Sequence, residues 1–155
     1  MSAPIRLIFH DAEDLAVASA HLQDAVVRVG DMSYAAKQRR FALVLNRFRW
    51  ELPTAQSGRA FKPFERVRAG VHFDGVLGVR VQGIARDFDD AVLELLAIKF
   101  EPANDGAGVI DLIFAGGGTV RLDVECIEGQ LSDITQPWAT AHLPDHPTDD
   151  APVED

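Results

Sequence analysis

The chain has 155 residues, 47% of them apolar, with a net charge of −9 and a single cysteine. That length fits one domain with a sizeable core, the apolar share excludes wholesale disorder, and one cysteine cannot close an internal disulfide. The acid excess disfavours nucleic acid as a partner, and no apolar run is long enough to span a bilayer or to make a signal-peptide core, so the expected compartment is the cytoplasm.

Ile5–Phe9 reads as a short first strand. Asp11 then suits a helix N-cap, with Asp14 placed to favour the helix dipole. Ala12, Leu15, Ser19 and Leu22, with Ala18 beside them, recur at helical spacing, which predicts a helix over residues 12–22. From Ala25 the period changes to two. Val27 and Val29 lead towards Tyr34, and Phe41, Leu43 and Leu45 alternate along the next strand. Beyond Asn46 the apolar positions change phase to Phe48 and Trp50, which predicts a bulge there. Residues 52–63, with two prolines and a glycine, read as a mobile loop.

Val67, Ala69, Val71 and Phe73 alternate up to Asp74-Gly75, and Leu77, Val79 and Val81 alternate after it. An Asp-Gly pair between alternating runs predicts a two-residue hairpin. Val92–Phe100 carries apolar residues on both sides and reads as a central strand buried on both faces. Ile110, Leu112 and Phe114 alternate, then Gly116–Gly118, then Val120, Leu122, Val124 and Cys126. A phosphate loop needs a helix after its glycines, and these are followed by strand alternation, so they read as a hairpin turn. Residues 127–134 continue that strand past a bulge at Gly129. The fold class predicted is mainly β (α+β): an antiparallel meander of about eight strands, closed as a barrel or packed as a two-sheet sandwich, with one N-terminal helix over an open end or edge. One globular domain is expected over residues 1–136. An acidic, proline-rich, disordered tail is expected over 137–155.

No residue set here carries a catalytic signature. Cys126 falls in phase with the apolar face and reads as a buried, inert thiol. His142 and His146 are four apart but flank Pro144, and His72 and Asp74 lack a third ligand at metal spacing. Asp87, Asp89 and Asp90 lack the glycine turn and terminal acid of a calcium loop. No metal or cofactor is expected, and the balance leans away from an enzyme.

Charge is unevenly placed. Residues 37–68 hold nine bases and two acids, or +7; the remainder holds six bases and twenty-two acids, or −16. Strand alternation would turn the aromatics of this segment inward and its arginines outward. Arg39, Arg40, Arg47, Arg49, Arg66 and Arg68 would then form a basic face that docks an acidic protein or another polyanion. The acidic tail would fold back over that face. Two alternatives stand beside this interaction module. One is a small-molecule site or enzyme in a barrel mouth or between sheets, using His72, Asp74 and Asp111, or Cys126. The other is a structural homodimer.

The stretches DAEDLAVASAHLQDAVVRVGDM (residues 11–32), RRFALVLNRFRWE (39–51) and FAGGGTVRLDVECIEGQLSDI (114–134) resemble an uncharacterised bacterial family, domain of unknown function 2948. The resemblance covers roughly residues 5–140. It implies a housekeeping cytoplasmic role and brings no activity and no catalytic residues.

Overall fold

The computed structural model describes residues 4–50, 64–85, 88–135 and 138–140. Its elements run β1 (Arg6–Phe9), α1 (Ala12–Leu22), β2 (Ala25–Ala35), β3 (Arg40–Phe48), β4 (Phe64–Phe73), β5 (Val76–Gln82), β6 (Val92–Pro102), β7 (Gly108–Phe114), β8 (Thr119–Val124), β9 (Gly129–Asp133) and β10 (Trp138–Thr140). Every pairing is antiparallel. The strands form one sheet in the order β1-β9-β4-β3-β2-β6-β7-β8-β5, with β10 on β4 beside Phe64–Arg66. Among the described residues the protein is thus mainly β with one α-helix, as its periodicity indicates, and the sheet does not close into a barrel.

The helix forms where the sequence places it. The Asp11 side chain caps it by accepting from the Asp14 N–H at 2.7 Å. Leu15, Ala18 and Leu22 are buried, and α1 packs on β6. There the Ile98 N–H donates to the Ser19 Oγ at 2.9 Å. The register of β6 against β7 shifts between Leu95 and Ala97. That bulge turns Leu96 outward, 42% exposed. The expectation of burial on both faces of β6 is therefore corrected: its outer face shows Val92 and Leu96 to solvent.

The Asp74-Gly75 hairpin is also corrected. Gly75 has the left-handed backbone expected of it, φ 69°, yet β4 and β5 do not pair. β4 lies between β3 and β9 or β10, and β5 pairs with β8. β4 is third in the sheet order and β5 ninth. Six strand spacings put them about 29 Å apart in a flat sheet. Two linking residues allow at most about 11 Å between the Cα atoms of Phe73 and Val76. The sheet must therefore curl until its two halves face each other.

The link from β8 to β9 makes the same crossing in reverse, which corrects the expected bulge at Gly129: β9 is a separate strand, paired with β1 and β4. The two crossings lie side by side. The Asp74 N–H donates to the Glu128 carbonyl at 2.8 Å, and the Glu125 N–H to the Gly75 carbonyl at 3.0 Å. Because the strand ends at Val124, Cys126 sits in this corner and is exposed, not buried.

Curling encloses one core, with buried side chains from α1 and from β1 through β9. Phe9 and Phe73 meet at its centre with ring centroids 5.5 Å apart. At the Gly116–Gly118 turn, the Phe114 N–H donates to the Gly118 carbonyl at 2.8 Å, and Gly116 and Gly117 both have positive φ. These glycines join β7 to β8 as a tight turn.

The predicted bulge at Asn46 is absent. β3 pairs with β4 without a break from Phe41↔Phe73 to Phe48↔Arg66. The irregularity lies instead in β2, whose register on β3 jumps between Val27 and Met32. Arg47 simply continues the inward face of Phe41, Leu43 and Leu45, and a buried arginine reads in sequence like a change of phase. The mobile-loop expectation for residues 52–63 and the acidic tail from residue 141 lie outside the described residues. Trp138–Thr140, placed in that tail by the sequence, form β10.

Candidate functional site

The six arginines of the expected basic face do not share one. Arg47, Arg49 and Arg66 are 0%, 4% and 3% exposed. Arg47 pairs with Asp133, and Arg49 Nη1 lies 2.5 Å from the Glu65 carboxylate. Arg66 donates to the Asn46 carbonyl at 3.2 Å and lies over the Phe48 ring. Arg39 and Arg40 sit at the other end of β3 from Arg47, about 24 Å away at strand rise. They are exposed, but each holds the corner through a carboxylate: Arg39 with Glu125 at 2.8 Å, Arg40 with Asp74 at 2.7 Å. Arg68 reaches the Asn46 side chain at 3.3 Å and Asp31 at 3.7 Å. Interleaving therefore did not turn Arg47, Arg49 and Arg66 outward, because the β3–β4 end is buried on both faces.

Of the residues considered for a catalytic site, His72 and Asp74 meet each other, while Asp111 is engaged by Arg121. His72 Nδ1 lies 3.3 Å from Asp74, which also holds Arg40. Asp111 accepts two bonds from Arg121, at 2.8 and 3.1 Å. The Arg121 guanidinium is held above its usual pKa, first by that hydrogen bond and then by the Asp111 charge. Asp87, His142 and His146 lie outside the described residues. His10, Asp11 and Asp14 approach one another at the start of α1, but there Asp11 and Asp14 accept backbone N–H bonds that cap the helix.

What the fold does assemble is a cleft that sequence reading did not find. It has a volume of about 320 Å³ and lies between the second half of β2 and β5. Met32 and Tyr34 line one wall, Val79 and Val81 the other, and Phe41 and Val120 the floor. Gly30, Ser33, Ile84 and Asp89 stand at its edge. Met32, Tyr34, Val79, Val81 and Ile84 are among the partly exposed residues packed against the core, so the cleft opens into the apolar interior. The Tyr34 hydroxyl donates to the Val76 carbonyl at 2.7 Å and ties the two walls together.

Local structure explains why the walls stay apart. β6 pairs with β2 only over Ala25–Arg28. Val29 and Gly30 then donate to the carbonyls of Ala91 and Asp89, both at 2.9 Å. A side chain at Gly30 would strike Asp89, so glycine permits this approach. From Asp31 to Ala35, β2 has β3 on one flank and, among the described residues, no strand on the other. Among the described residues, β5 likewise has a strand, β8, on one flank alone.

Three carboxylates, Asp31, Asp89 and Asp90, gather beside the cleft. Arg28 reaches Asp31 at 3.3 Å and Asp90 at 3.4 Å. Its pKa is raised, chiefly by the hydrogen bond to Asp31 and then by the charges of Asp31 and Asp90. With Arg68 also on Asp31, three carboxylates face two guanidinium groups among the described residues, an excess of one negative charge.

No helix among the described residues is long and apolar enough to cross a membrane. Neither curated proteins nor solved structures yield a match to this chain. A family model described as protein of unknown function (DUF2948) matches residues 5–146, nearly the whole length, and the chain belongs to that family.

Proposed function

We propose that this protein is a non-enzymatic binding module that takes an apolar group of its ligand into the cleft between β2 and β5. The observation that carries this reading is the cleft itself: an opening into the core, walled by partly exposed valines, Met32 and Tyr34. Ligand sites are concave and mostly apolar, with a few polar groups that set orientation, and a volume of about 320 Å³ falls at the small end of their range. Ser33 and Asp89 supply such groups here. Docking of an acidic partner on six arginines has less support, since three are buried and the rest are paired with acids or with Asn46. The cleft is the unclosed seam of a barrel-like curl, and its function follows from its being left open.

Ligand-observed NMR with small apolar fragments such as indole and cyclohexanol tests this reading. The fragments are expected to bind, and to lose binding when Val81→Trp fills the cleft in a chain whose circular dichroism is unchanged. Fragments that ignore the substitution, or fail to bind at millimolar concentration, would remove the cleft as a ligand site.

A further inference from the structure

Strand direction around the cleft is fixed by the ladders. β2 pairs antiparallel with β6, β6 with β7, β7 with β8, and β8 with β5. Four reversals make β5 run the same way as β2. Closing the seam directly would therefore need one parallel pair in a sheet that is otherwise antiparallel, and parallel pairing is slightly the weaker kind. A single extended strand inserted between β2 and β5, antiparallel to both, would complete the alternation and pair the Asp31–Ala35 edge of β2 with the edge of β5 beyond Val76, whose own N–H already donates to the Arg39 carbonyl.

Resting on the reading of the cleft as a binding site, we infer that its occupant is an extended peptide segment of a partner protein, added as a strand along the Asp31–Ala35 edge of β2. The β2 edge offers five residues, about 17 Å of backbone, enough for several main-chain hydrogen bonds. Main-chain bonds supply affinity in strand addition, and alternate side chains supply selectivity. Side chains on one face of the inserted strand would enter the space between Tyr34 and Val81, which selects apolar residues at every second position. The excess negative charge of Asp31, Asp89 and Asp90 over Arg28 and Arg68 selects lysine or arginine at the positions between. The partner segment is thus alternately apolar and basic. Natural sheets cover or charge such edges to prevent indiscriminate pairing. Here the exposed edge carries Ser33 and leads into an apolar cleft.

The test uses the full chain and three synthetic nine-residue peptides. One alternates valine and lysine, one has the same sequence with N-methylated amides on its edge-facing side, and one has glutamate in place of lysine. The valine–lysine peptide is expected to bind and to slow amide exchange between Asp31 and Ala35. The N-methylated form should bind about tenfold more weakly, since it loses main-chain bonds while keeping its side chains. The glutamate form should also be weaker. Equal affinity of the N-methylated peptide, unchanged exchange in β2, or no binding of the first peptide overturns strand addition. Equal affinity of the glutamate peptide overturns the assigned charge. Protection of the same edge without peptide, rising with protein concentration, would assign the seam to a second copy of this chain and overturn the partner. Indole binding that persists in the face of any of these results leaves the cleft as a ligand site, so the two readings fail separately.

Discussion

The Arg47 guanidinium and the Asp133 carboxylate meet fork to fork, with Nε to Oδ1 and Nη2 to Oδ2 both 2.9 Å and neither side chain more than 3% exposed. They belong to β3 and β9, which flank β4, so the contact reaches across two strand spacings, about 10 Å. The same carboxylate accepts the Ile5 N–H at 2.8 Å just before β1 begins. Arg47 also donates to the Phe48 carbonyl at 3.3 Å. One buried pair thus fixes the ends of β3 and β9 and the entry to β1 relative to one another.

Removing one partner strands a charge in the interior. Arg47→Met is expected to destabilise the fold by about 3–5 kcal/mol. The double change Arg47→Met with Asp133→Leu should cost less than Arg47→Met alone, because a buried ion pair exchanged for apolar contact is often neutral or better. Urea denaturation of the two variants beside the unchanged protein measures both quantities. A double variant less stable than Arg47→Met would show that the pair is not the unit that matters.

Two glycines separate backbone strain from steric collision. Gly116→Ala meets open space but keeps φ near 86°, so it should cost about 1–2 kcal/mol. A Cβ on Gly129 would fall on the His72 carbonyl oxygen and the Phe9 ring. Backbone cannot move aside as a flexible side chain can, so Gly129→Ala should cost more than Gly116→Ala. Thermal melts of the two variants give the order.

The Tyr34 hydroxyl bonds the Val76 carbonyl across the cleft. Tyr34→Phe should cost about 1 kcal/mol, the net worth of one hydrogen bond. Because that bond ties β5 to β2, amide exchange should speed up in β5 before it does in β3 or β4. Exchange followed by mass spectrometry resolves the three strands.

Cys126 is exposed at the corner where the chain passes from β8 to β9. The native protein should therefore react with a thiol reagent such as Ellman's reagent at a rate close to that of the urea-unfolded chain, with one thiol per molecule. Protection by more than about a hundredfold would place the thiol inside, since reactivity follows access.

Local patterns in the sequence marked most of the elements. Capping by Asp11 and the spacing of Leu15, Ala18 and Leu22 marked the helix, and period-two alternation marked most strands, because these signals depend on neighbours a few residues apart. The turn at Gly116–Gly118 was legible for the same reason. Tertiary structure alone decided how the strands were ordered. Asp74-Gly75 carries the local chemistry of a hairpin, but a positive φ specifies a sharp turn and not what the chain pairs with afterwards. Arg47 looked like a surface residue because no local pattern shows that Asp133 waits 86 positions away. The cleft was invisible for a related reason. Met32, Tyr34, Val79 and Val81 are ordinary strand residues in sequence, and they become a site only because the curl brings two like-directed edges together without joining them.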